Sequence, residues 1–273
     1  MPATLMAAKI SIIIDDVGDN RRLALRTLDL DNRVAVSILP HTPFSKEVAQ
    51  IAADTKRDVM LHQPMESKKN NYLLGPGPLM SDMDKNTVIE TLKTNLDSMP
   101  ESIGINNHMG SKLTQDPKVM SWVMTELINR GMFFIDSKTS SKSIGSDVAQ
   151  DWHVPNMSRS VFLDHTDDLE AIDIQFKRLV QLAKRHGKAV AIGHPRKNTL
   201  EYLEHALLNL PDLNIELVSI RKLVYQTYQP NYPLSLNPGC FPTSKTGHNT
   251  KSIHQFLSEQ RCGQHDAFIF PEP

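Results

Sequence analysis

The sequence is poor in cysteine and in aromatic residues, and it contains no long apolar run. Its two cysteines, Cys240 and Cys262, lie near the C-terminal end, so neither a zinc ribbon built on CxxC pairs nor a dense disulfide framework is available. Two states are open for them, a disulfide in an oxidising compartment or two free thiols. The longest apolar runs, such as Ile10–Ile14, have the length of a strand, well short of the roughly 20 residues that span a membrane. The sequence therefore predicts no membrane span.

An excess of charge of one sign is also lacking. The chain carries 30 Lys and Arg against 31 Asp and Glu, a formal net charge of -1. This balance gives no general attraction to a polyphosphate backbone or to an anionic membrane surface, so nucleic acid is not an expected partner. With 273 residues, of which 40% are hydrophobic, the chain has enough apolar material for a substantial core. Its oligomeric state stays open.

Short apolar runs recur along the chain, and a segment of helical periodicity follows each of them. The runs that we predict to be strands are Lys9–Ile14, Val34–Ile38, Asp58–Leu61, Gly104–Asn107, Phe133–Ile135, Ser160–Leu163, Ala189–Ile192 and Asn214–Leu217. Alternation of strands and helices is typical of parallel α/β architecture. Seven or eight repeats predict a single-domain (β/α) barrel or an incomplete relative of one, and a doubly wound open sheet is the alternative.

Three stretches fall outside this repeat. Residues 67–81, with an Asn-Asn pair and a Gly-Pro-Gly-Pro run, predict a long loop placed to overhang a site. Residues 226–273, dominated by Pro, Asn, Ser, Thr, Gly and His, predict an irregular or partly disordered tail. Residues 1–8 have no basic region and are interpreted as an N-terminal remnant, in which Leu5–Ala8 suits the end of an export signal.

Chemistry-bearing side chains follow most of the predicted strands. These strand ends carry Asp15-Asp16, His62, Asn107-His108, Asp136, Asp164-His165 and His194. The carboxyl ends of parallel strands meet on one face of an α/β fold, where active sites lie. We therefore expect these side chains to converge although they are far apart in sequence.

A convergent set of this composition predicts a metal-dependent hydrolytic site. One carboxylate and two neutral imidazoles suit zinc or another first-row divalent ion and leave a position open for water. Asp15 and Asp16 are adjacent and point in different directions, so one can bind the metal while the other faces the water. A metal lowers the pKa of bound water from about 15.7 toward 7, and a nearby carboxylate then takes the proton as general base.

Five ordered segments carry a family resemblance. Beside the opening Ile12-Ile13-Ile14-Asp15-Asp16-Val17-Gly18, they are Leu39-Pro40-His41-Thr42-Pro43, Met60-Leu61-His62-Gln63-Pro64-Met65-Glu66, Gly104-Ile105-Asn106-Asn107-His108-Met109-Gly110-Ser111, Phe133-Phe134-Ile135-Asp136-Ser137 and Ala191-Ile192-Gly193-His194-Pro195. Together they resemble the divergent polysaccharide deacetylase family, a distant relative of the NodB-type deacetylases, over roughly residues 9 to 224. The combination is specific, whereas any one segment alone is weak.

The resemblance implies a deformed (β/α) barrel over residues 9–225, a divalent metal that is usually zinc, and hydrolysis of an N- or O-acetyl group on a carbohydrate. It assigns Asp15 as the catalytic base, Asp16 as the metal-binding acid and His194 as the general acid. Asp136 stands where the parent family has an acid that orients or tunes this histidine.

Other site residues rest on inference. The parent family takes two histidine ligands from one His-Ser/Thr-x-x-His segment, which this chain lacks, so His62 and His108 on neighbouring strands are expected to replace them. Asn106 and Asn107 offer amide donors to the substrate or form a turn, and Glu66 supports His62 or is a solvated loop acid. Arg196, like the adjacent lysine, contacts an anionic substrate or is surface charge.

The sequence thus predicts a metal-dependent carbohydrate deacetylase of the periplasm or cell envelope. The alternative is a noncatalytic carbohydrate-binding or envelope protein that keeps the cleft for recognition. Asp15 and His194 together favour the enzyme, because binding a sugar needs neither a base nor an acid, and aromatic content is only 6%. A phosphoesterase would require more metal ligands or a clamp of Arg and Lys.

Overall fold

The computed structural model describes residues 7–228, in which strands and helices alternate. The strands are β1 (Ala8–Val17), β2 (Ala35–Ile38), β3 (Val59–Met65), β4 (Gly104–Met109), β5 (Phe133–Asp136), β6 (Asn156–Ser158), β7 (Val161–Phe162), β8 (Lys188–Gly193) and β9 (Ile215–Leu217). The helices are α1 (Arg21–Leu28), α2 (Ser45–Asp54), α3 (Lys85–Asp97), α4 (Pro117–Asn129), α5 (Gly145–Asp151), α6 (Leu169–His186), α7 (Lys197–Ala206) and α8 (Ile220–Thr227). Short 3-10 helices cover Asn71–Leu73, Leu113–Gln115 and Leu207–Asn209.

All strands belong to one parallel sheet, which curls into a deformed barrel. Their order is β6-β5-β4-β3-β2-β1-β8-β7, and β9 pairs with the first residues of β1. From β1 to β6 each strand lies beside the one before it, without the reversal of order that defines a doubly wound sheet. The predicted barrel is thus confirmed, and the doubly wound alternative is wrong.

Only two residues separate β6 from β7, and they link opposite edges of the sheet. The amide of Arg159 donates to the carbonyl of Asp136 on β5 at 2.9 Å, and the next amide, of Ser160, donates to that of Val190 on β8 at 2.8 Å. Consecutive residues thus pair with β5 and with β8. The chain itself joins the two edges at this junction.

An apolar layer fills the barrel below the site. Inward side chains of strands that are not neighbours meet there, including Ile13 of β1, Met60 of β3 and Ile135 of β5, and Leu223 of α8 packs against them from below. All four are almost completely buried. Because inward positions recur every second residue, the next inward positions are one layer higher.

Five strands, β1, β3, β4, β5 and β8, extend beyond the predicted runs, whereas β2, β7 and β9 are shorter than predicted. β3 runs to Met65 and β4 to Met109, so the histidines expected just after these strands lie inside them. Polar side chains are tolerated there because their positions face the cleft above the apolar layer. α8 ends at Thr227, two residues beyond the predicted domain end, and β6 was not predicted. Cys240 and Cys262 lie outside the described residues.

Within residues 7–228, no helix has the length and apolar content needed to cross a bilayer.

The predicted long loop after β3 is present and is tied to the barrel. The β3 loop, residues 66–81, returns beside its own strand, where Leu79 pairs with Met65. Further along the loop, the carbonyl of Gly77 accepts hydrogen bonds from the side-chain amides of Gln63 at 3.0 Å and Asn95 at 2.8 Å. The loop is therefore anchored to β3 and α3.

Two glycines of the β3 loop provide a matched test of this anchor. Gly75 and Gly77 have left-handed φ values of +71° and +69°, but a Cβ at Gly77 would lie 2.9 Å from Asn95 Cγ, whereas one at Gly75 meets nothing within 4 Å. Gly75→Ala should cost about 1–2 kcal/mol for its backbone conformation. Gly77→Ala should cost a further 1–3 kcal/mol, roughly, because the buried amide has to move.

Urea unfolding of both variants measures the difference. Equal losses of stability would show that Asn95 does not hold the loop.

Candidate active site

Adjacent residues of a regular strand point to opposite faces, yet Asp15 and Asp16 both face the cleft. The register between β1 and β2 shifts between Ile14 and Val17, which marks a bulge, and Asp16 has a left-handed φ of +54°. A bulge re-aims side chains in this way. It places two carboxylates in one site, as the sequence predicted for two separate roles.

Three ligand atoms, from β1, β3 and β4, form a nearly equilateral triangle. Asp16 Oδ1 lies 3.1 Å from His62 Nε2 and 2.9 Å from His108 Nδ1, and the two ring nitrogens are 3.1 Å apart. These residues are the group in the described chain whose donor atoms converge closely enough to hold a metal ion. We call them the ligand trio.

The other ring nitrogen of each histidine in the trio lies within hydrogen-bond distance of an oxygen acceptor. His62 Nδ1 lies 2.7 Å from Asn106 Oδ1, and the amide nitrogen of Asn106 donates to Asp15 Oδ1 at 2.8 Å. His108 Nε2 lies 3.3 Å from the carbonyl of Leu73 in the β3 loop. Both partners are acceptors, so both nitrogens carry the hydrogen.

When both rings are neutral, these tautomers direct two nitrogen lone pairs toward the carboxylate. Asp16 Oδ1 is then a buried oxygen that receives no hydrogen bond from the described residues. Burial alone would lower the pKa of His62, but the charges of Asp15 and Asp16 outweigh it and raise that pKa to about 9. Burial also disfavours ionisation of Asp16, yet the imidazoles hold its pKa far below the ordinary value. The triangle therefore requires positive charge, which protons on the imidazoles or a bound cation supply.

A divalent ion meets this requirement. Ligand atoms around a tetrahedral zinc, with bonds of about 2.0–2.1 Å, lie about 3.3 Å apart, close to the separations in the trio. Two imidazoles and one carboxylate leave a fourth position open. Hydrogen bonds from the distal nitrogens of metal-binding histidines, as found here to Asn106 and Leu73, fix the tautomer that binds.

The second carboxylate of the pair is deep in the site. Asp15 is 2% exposed, and its Oδ2 is 3.7 Å from His62 Nε2. Burial raises the pKa of Asp15 above the ordinary value, against the lowering effects of His62, His194 and the hydrogen bond from Asn106. This carboxyl is therefore easier to protonate than a solvated one.

His194 stands across the cleft with a carboxylate behind it. Its Nδ1 lies 2.8 Å from Asp164 Oδ1, and its backbone amide donates to Asp164 Oδ2 at 2.7 Å. Its Nε2 is 3.8 Å from Asp16 Oδ2. Although burial alone would lower the pKa of His194, Asp164 outweighs it and raises that pKa. The imidazolium is favoured, with Nε2 directed into the cleft.

A stack of side chains supports this imidazole. The ring of Phe162 stacks on His194, with centroids 6.2 Å apart and planes 22° from parallel. The guanidinium carbon of Arg159 lies 3.7 Å from the centroid of the Phe162 ring, and the guanidinium donates to the carbonyls of Ser137 at 2.7 Å and Lys138 at 2.9 Å. The strand junction at Arg159 therefore supports the position of His194.

In the structure the carboxylate that contacts His194 is that of Asp164, whereas Asp136 bonds the loop after its own strand. Its carboxylate accepts from the amide of Lys138 at 2.8 Å and from the hydroxyl of Ser143 at 2.7 Å, so it organises the loop after β5. The residue behind His194 is Asp164, because β7 lies next to β8 in the sheet whereas β5 does not.

The expectations for Asn107 and Glu66 also need correction. Asn107 is 1% exposed, and its amide bonds the carbonyl of Met109 and the amide of Ser137, so Asn106 is the asparagine that faces the site. The carboxylate of Glu66 does not contact His62. It accepts hydrogen bonds from the side chains of Ser81 and Lys112.

Arg196 stays a predicted substrate contact. Its Nη1 donates to the carbonyl of Asp164 at 2.6 Å, which places the guanidinium beside His194.

Sequence reasoning missed the roles of Asn106, Asp164 and Arg159. Asp164 did carry a signal, since it follows a predicted strand, but pairing it with His194 requires the strand order. Arg159 had no such signal, because the junction it occupies was not predicted.

Comparisons with known proteins identify the family of the chain. The profile of the family described as divergent polysaccharide deacetylase matches residues 12–224. The chain belongs to the divergent polysaccharide deacetylase family. The match contains the whole ligand trio, Asp15, Asp164 and His194, which confirms the resemblance stated from the sequence.

Two bacterial proteins are similar to this chain over most of its length. It is 35% identical over 216 residues to an uncharacterized protein of Haemophilus influenzae, covering 79% of this chain and 76% of the relative. It is 32% identical over 224 residues to the uncharacterized protein YibQ of Escherichia coli, covering 82% and 70%. The crystal structure of an uncharacterized protein from Agrobacterium tumefaciens C58 has the same fold, with a TM-score of 0.77, 19% identity and coverage of 81% and 91%.

Neighbouring asparagines of β4 test the support of the ligand trio. Asn106→Ala removes the acceptor for His62 Nδ1 and should weaken zinc binding about 10- to 100-fold, as is typical when a ligand loses such a partner. Asn107→Ala is the control, because its amide does not contact the trio. Competition titration with a chromogenic chelator measures both affinities, and equal weakening in the two variants would contradict the role of Asn106.

The link from Asp164 to His194 can be tested by NMR. Asp164→Asn removes the negative charge that raises the pKa of His194, so this pKa should fall. Thr199→Val removes only a hydrogen bond to Asp164 Oδ2 and leaves the carboxylate charged, so it should not lower the pKa of His194. A pH titration of the His194 ring resonances provides the values, and an unchanged pKa in Asp164→Asn would refute the pairing.

Proposed function

We propose that this protein is a metal-dependent hydrolase that removes acetyl groups from a carbohydrate. The observation that carries the proposal is the geometry of one cleft, where the ligand trio lies between a buried acid, Asp15, and the paired imidazole of His194. Membership of a deacetylase family supports this chemistry.

The trio of Asp16, His62 and His108 would hold the ion, and its two nitrogens and one oxygen favour zinc. When bound, such an ion polarises an acyl carbonyl and acidifies water. The chain supplies the fixed lone pairs that receive it. Their orientation is set before the ion arrives, because the distal ring hydrogens are held by Asn106 and Leu73.

Asp15 fits the part of general base. Its Oδ1 accepts a hydrogen bond from Asn106, which leaves Oδ2 to take the proton of an attacking water. Burial raises the pKa of this carboxyl, and a base whose pKa is nearer to neutrality transfers protons more effectively. The base and the ligand carboxylate are thus different members of the same pair.

His194 fits the part of general acid. Its Nδ1 is bound to Asp164, so the proton for a departing amine or alkoxide comes from Nε2. The raised pKa favours the protonated ring, the form needed before the acyl bond breaks. A protein that only binds sugar needs neither this imidazolium nor a buried carboxyl opposite it, so the pair supports the enzyme over the binding protein.

A polysaccharide substrate would place the protein in the cell envelope, with the periplasm as the proposed compartment. The balanced charge of the chain is compatible with a neutral glycan.

The first test is metal content together with acetate release. Purified untagged protein should contain near-stoichiometric zinc by mass spectrometry, and Asp16→Ala, His62→Ala and His108→Ala should lose it. The wild-type protein should release acetate from one or more members of a panel of acetylated chitooligosaccharides, peptidoglycan fragments and xylan.

Matched substitutions separate the proton-transfer roles from general damage. Asp15→Asn and His194→Gln should lower kcat by about 10²–10⁴-fold, the usual contribution of general acid–base catalysis. Asp19→Asn and His165→Gln change exposed residues near the same strands and should retain activity. Activity that survives in Asp15→Asn and in the metal-free protein would overturn the proposal.

A further inference from the structure

The β3 loop, residues 66–81, presents two apolar side chains to solvent beside the ligand trio. Tyr72 is 82% exposed and Leu73 is 57% exposed. The carbonyl of Leu73 lies 3.3 Å from His108 Nε2, so these side chains belong to a segment in direct contact with a proposed metal ligand. Tyr72 is the most exposed of the large apolar residues of the described chain.

The loop is held in place on both sides of this pair. At its base, Glu66 accepts hydrogen bonds from the amide of Ser81 at 2.8 Å and from Lys112 Nζ at 2.7 Å. Toward its start, the hydroxyls of Ser67 and Ser111 are 2.8 Å apart. These contacts give Glu66 a structural part in place of the expected one beside His62.

Apolar residues within the loop divide into anchors and exposed residues. Leu74 and Leu79 are 1% and 0% exposed, respectively, and their burial fixes the chain immediately after Tyr72 and Leu73. Burying a large apolar side chain stabilises the protein, and Leu74 contributes in this way whereas Tyr72 and Leu73 do not in the free protein. Because the backbone of this segment is already fixed, binding a ligand to its exposed apolar side chains would cost little conformational entropy.

The chemistry of a sugar ring suits this surface. Its C–H face packs on an aromatic or aliphatic side chain, while the hydroxyl groups at its edge stay in water. Tyrosine offers a flat apolar body with a polar tip, a combination suited to a partly wet contact.

We propose that Tyr72, with Leu73, forms a carbohydrate subsite that binds a hexose unit adjoining the acetylated one. The proposal rests on the proposed function, because it takes the acetylated unit to lie at the ligand trio. Tyr72 is then a specificity-determining residue that favours oligosaccharides over single sugars.

Calorimetry with a defined probe tests the subsite. The full chain carrying Asp15→Asn, loaded with zinc, is titrated with tetra-N-acetylchitotetraose and with N-acetylglucosamine. Adding Tyr72→Ala should raise the Kd for the tetrasaccharide about tenfold and leave the Kd for the monosaccharide unchanged. Tyr72→Phe keeps the ring and should stay within about twofold of the parent. Leu208→Ala, which changes a residue that is 76% exposed elsewhere, is the control and should have no effect.

The outcomes separate the subsite from the proposed function. Equal tetrasaccharide affinities in Tyr72→Ala and the parent, or a parent that does not bind the tetrasaccharide, would overturn the subsite even if the wild-type protein releases acetate. Loss of affinity in Tyr72→Ala with no acetate release from any glycan by the wild type would uphold the subsite and overturn the proposed hydrolase.

Discussion

The side-chain amide of Asn106 is the interaction on which the site depends. Its nitrogen holds one oxygen of Asp15, and its oxygen lies 2.7 Å from His62 Nδ1. One planar group therefore sets both the orientation of the candidate base and the tautomer of a metal ligand. It also accepts from the hydroxyl of Ser37 on β2, so its own position is fixed by a third strand. The two chemical parts of the cleft are consequently held in one hydrogen-bonded unit.

This hydrogen-bonded unit depends on the alternation of inward and outward side chains along the strands of the barrel. Along β1, Asp15 is two residues beyond the apolar Ile13, and along β3, His62 is two residues beyond Met60. Each strand thus contributes an apolar side chain to the lower layer and a polar one to the layer above it. The close-packed lower layer excludes water from beneath the site, which strengthens the electrostatic effects on the groups above.

Most of the fold and the ligand trio follow from the sequence, because apolar runs mark strands and polar residues interrupt them where the cleft begins. Relations between strands do not follow in the same way. Asp136 and Asp164 both come after strands, and only the pairing of β7 with β8 decides which of them meets His194. Asn106 and Asn107 are adjacent residues of the same type, so the sequence does not distinguish them. The register of β4 in the sheet decides which side chain faces the cleft. The contact of His108 with a backbone carbonyl leaves no trace in residue types at all.

The bulge in β1 has a consequence for how such a site arises. Two neighbouring carboxylates face one cleft because one extra residue stands between two fixed points of the ladder with β2. Exchange of side chains alone does not produce that arrangement, since in a regular strand the second carboxylate would turn toward the surrounding helices. The insertion or deletion of a single residue does change which face the second carboxylate occupies. At this point of the chain the chemistry depends on the number of residues as much as on their identity.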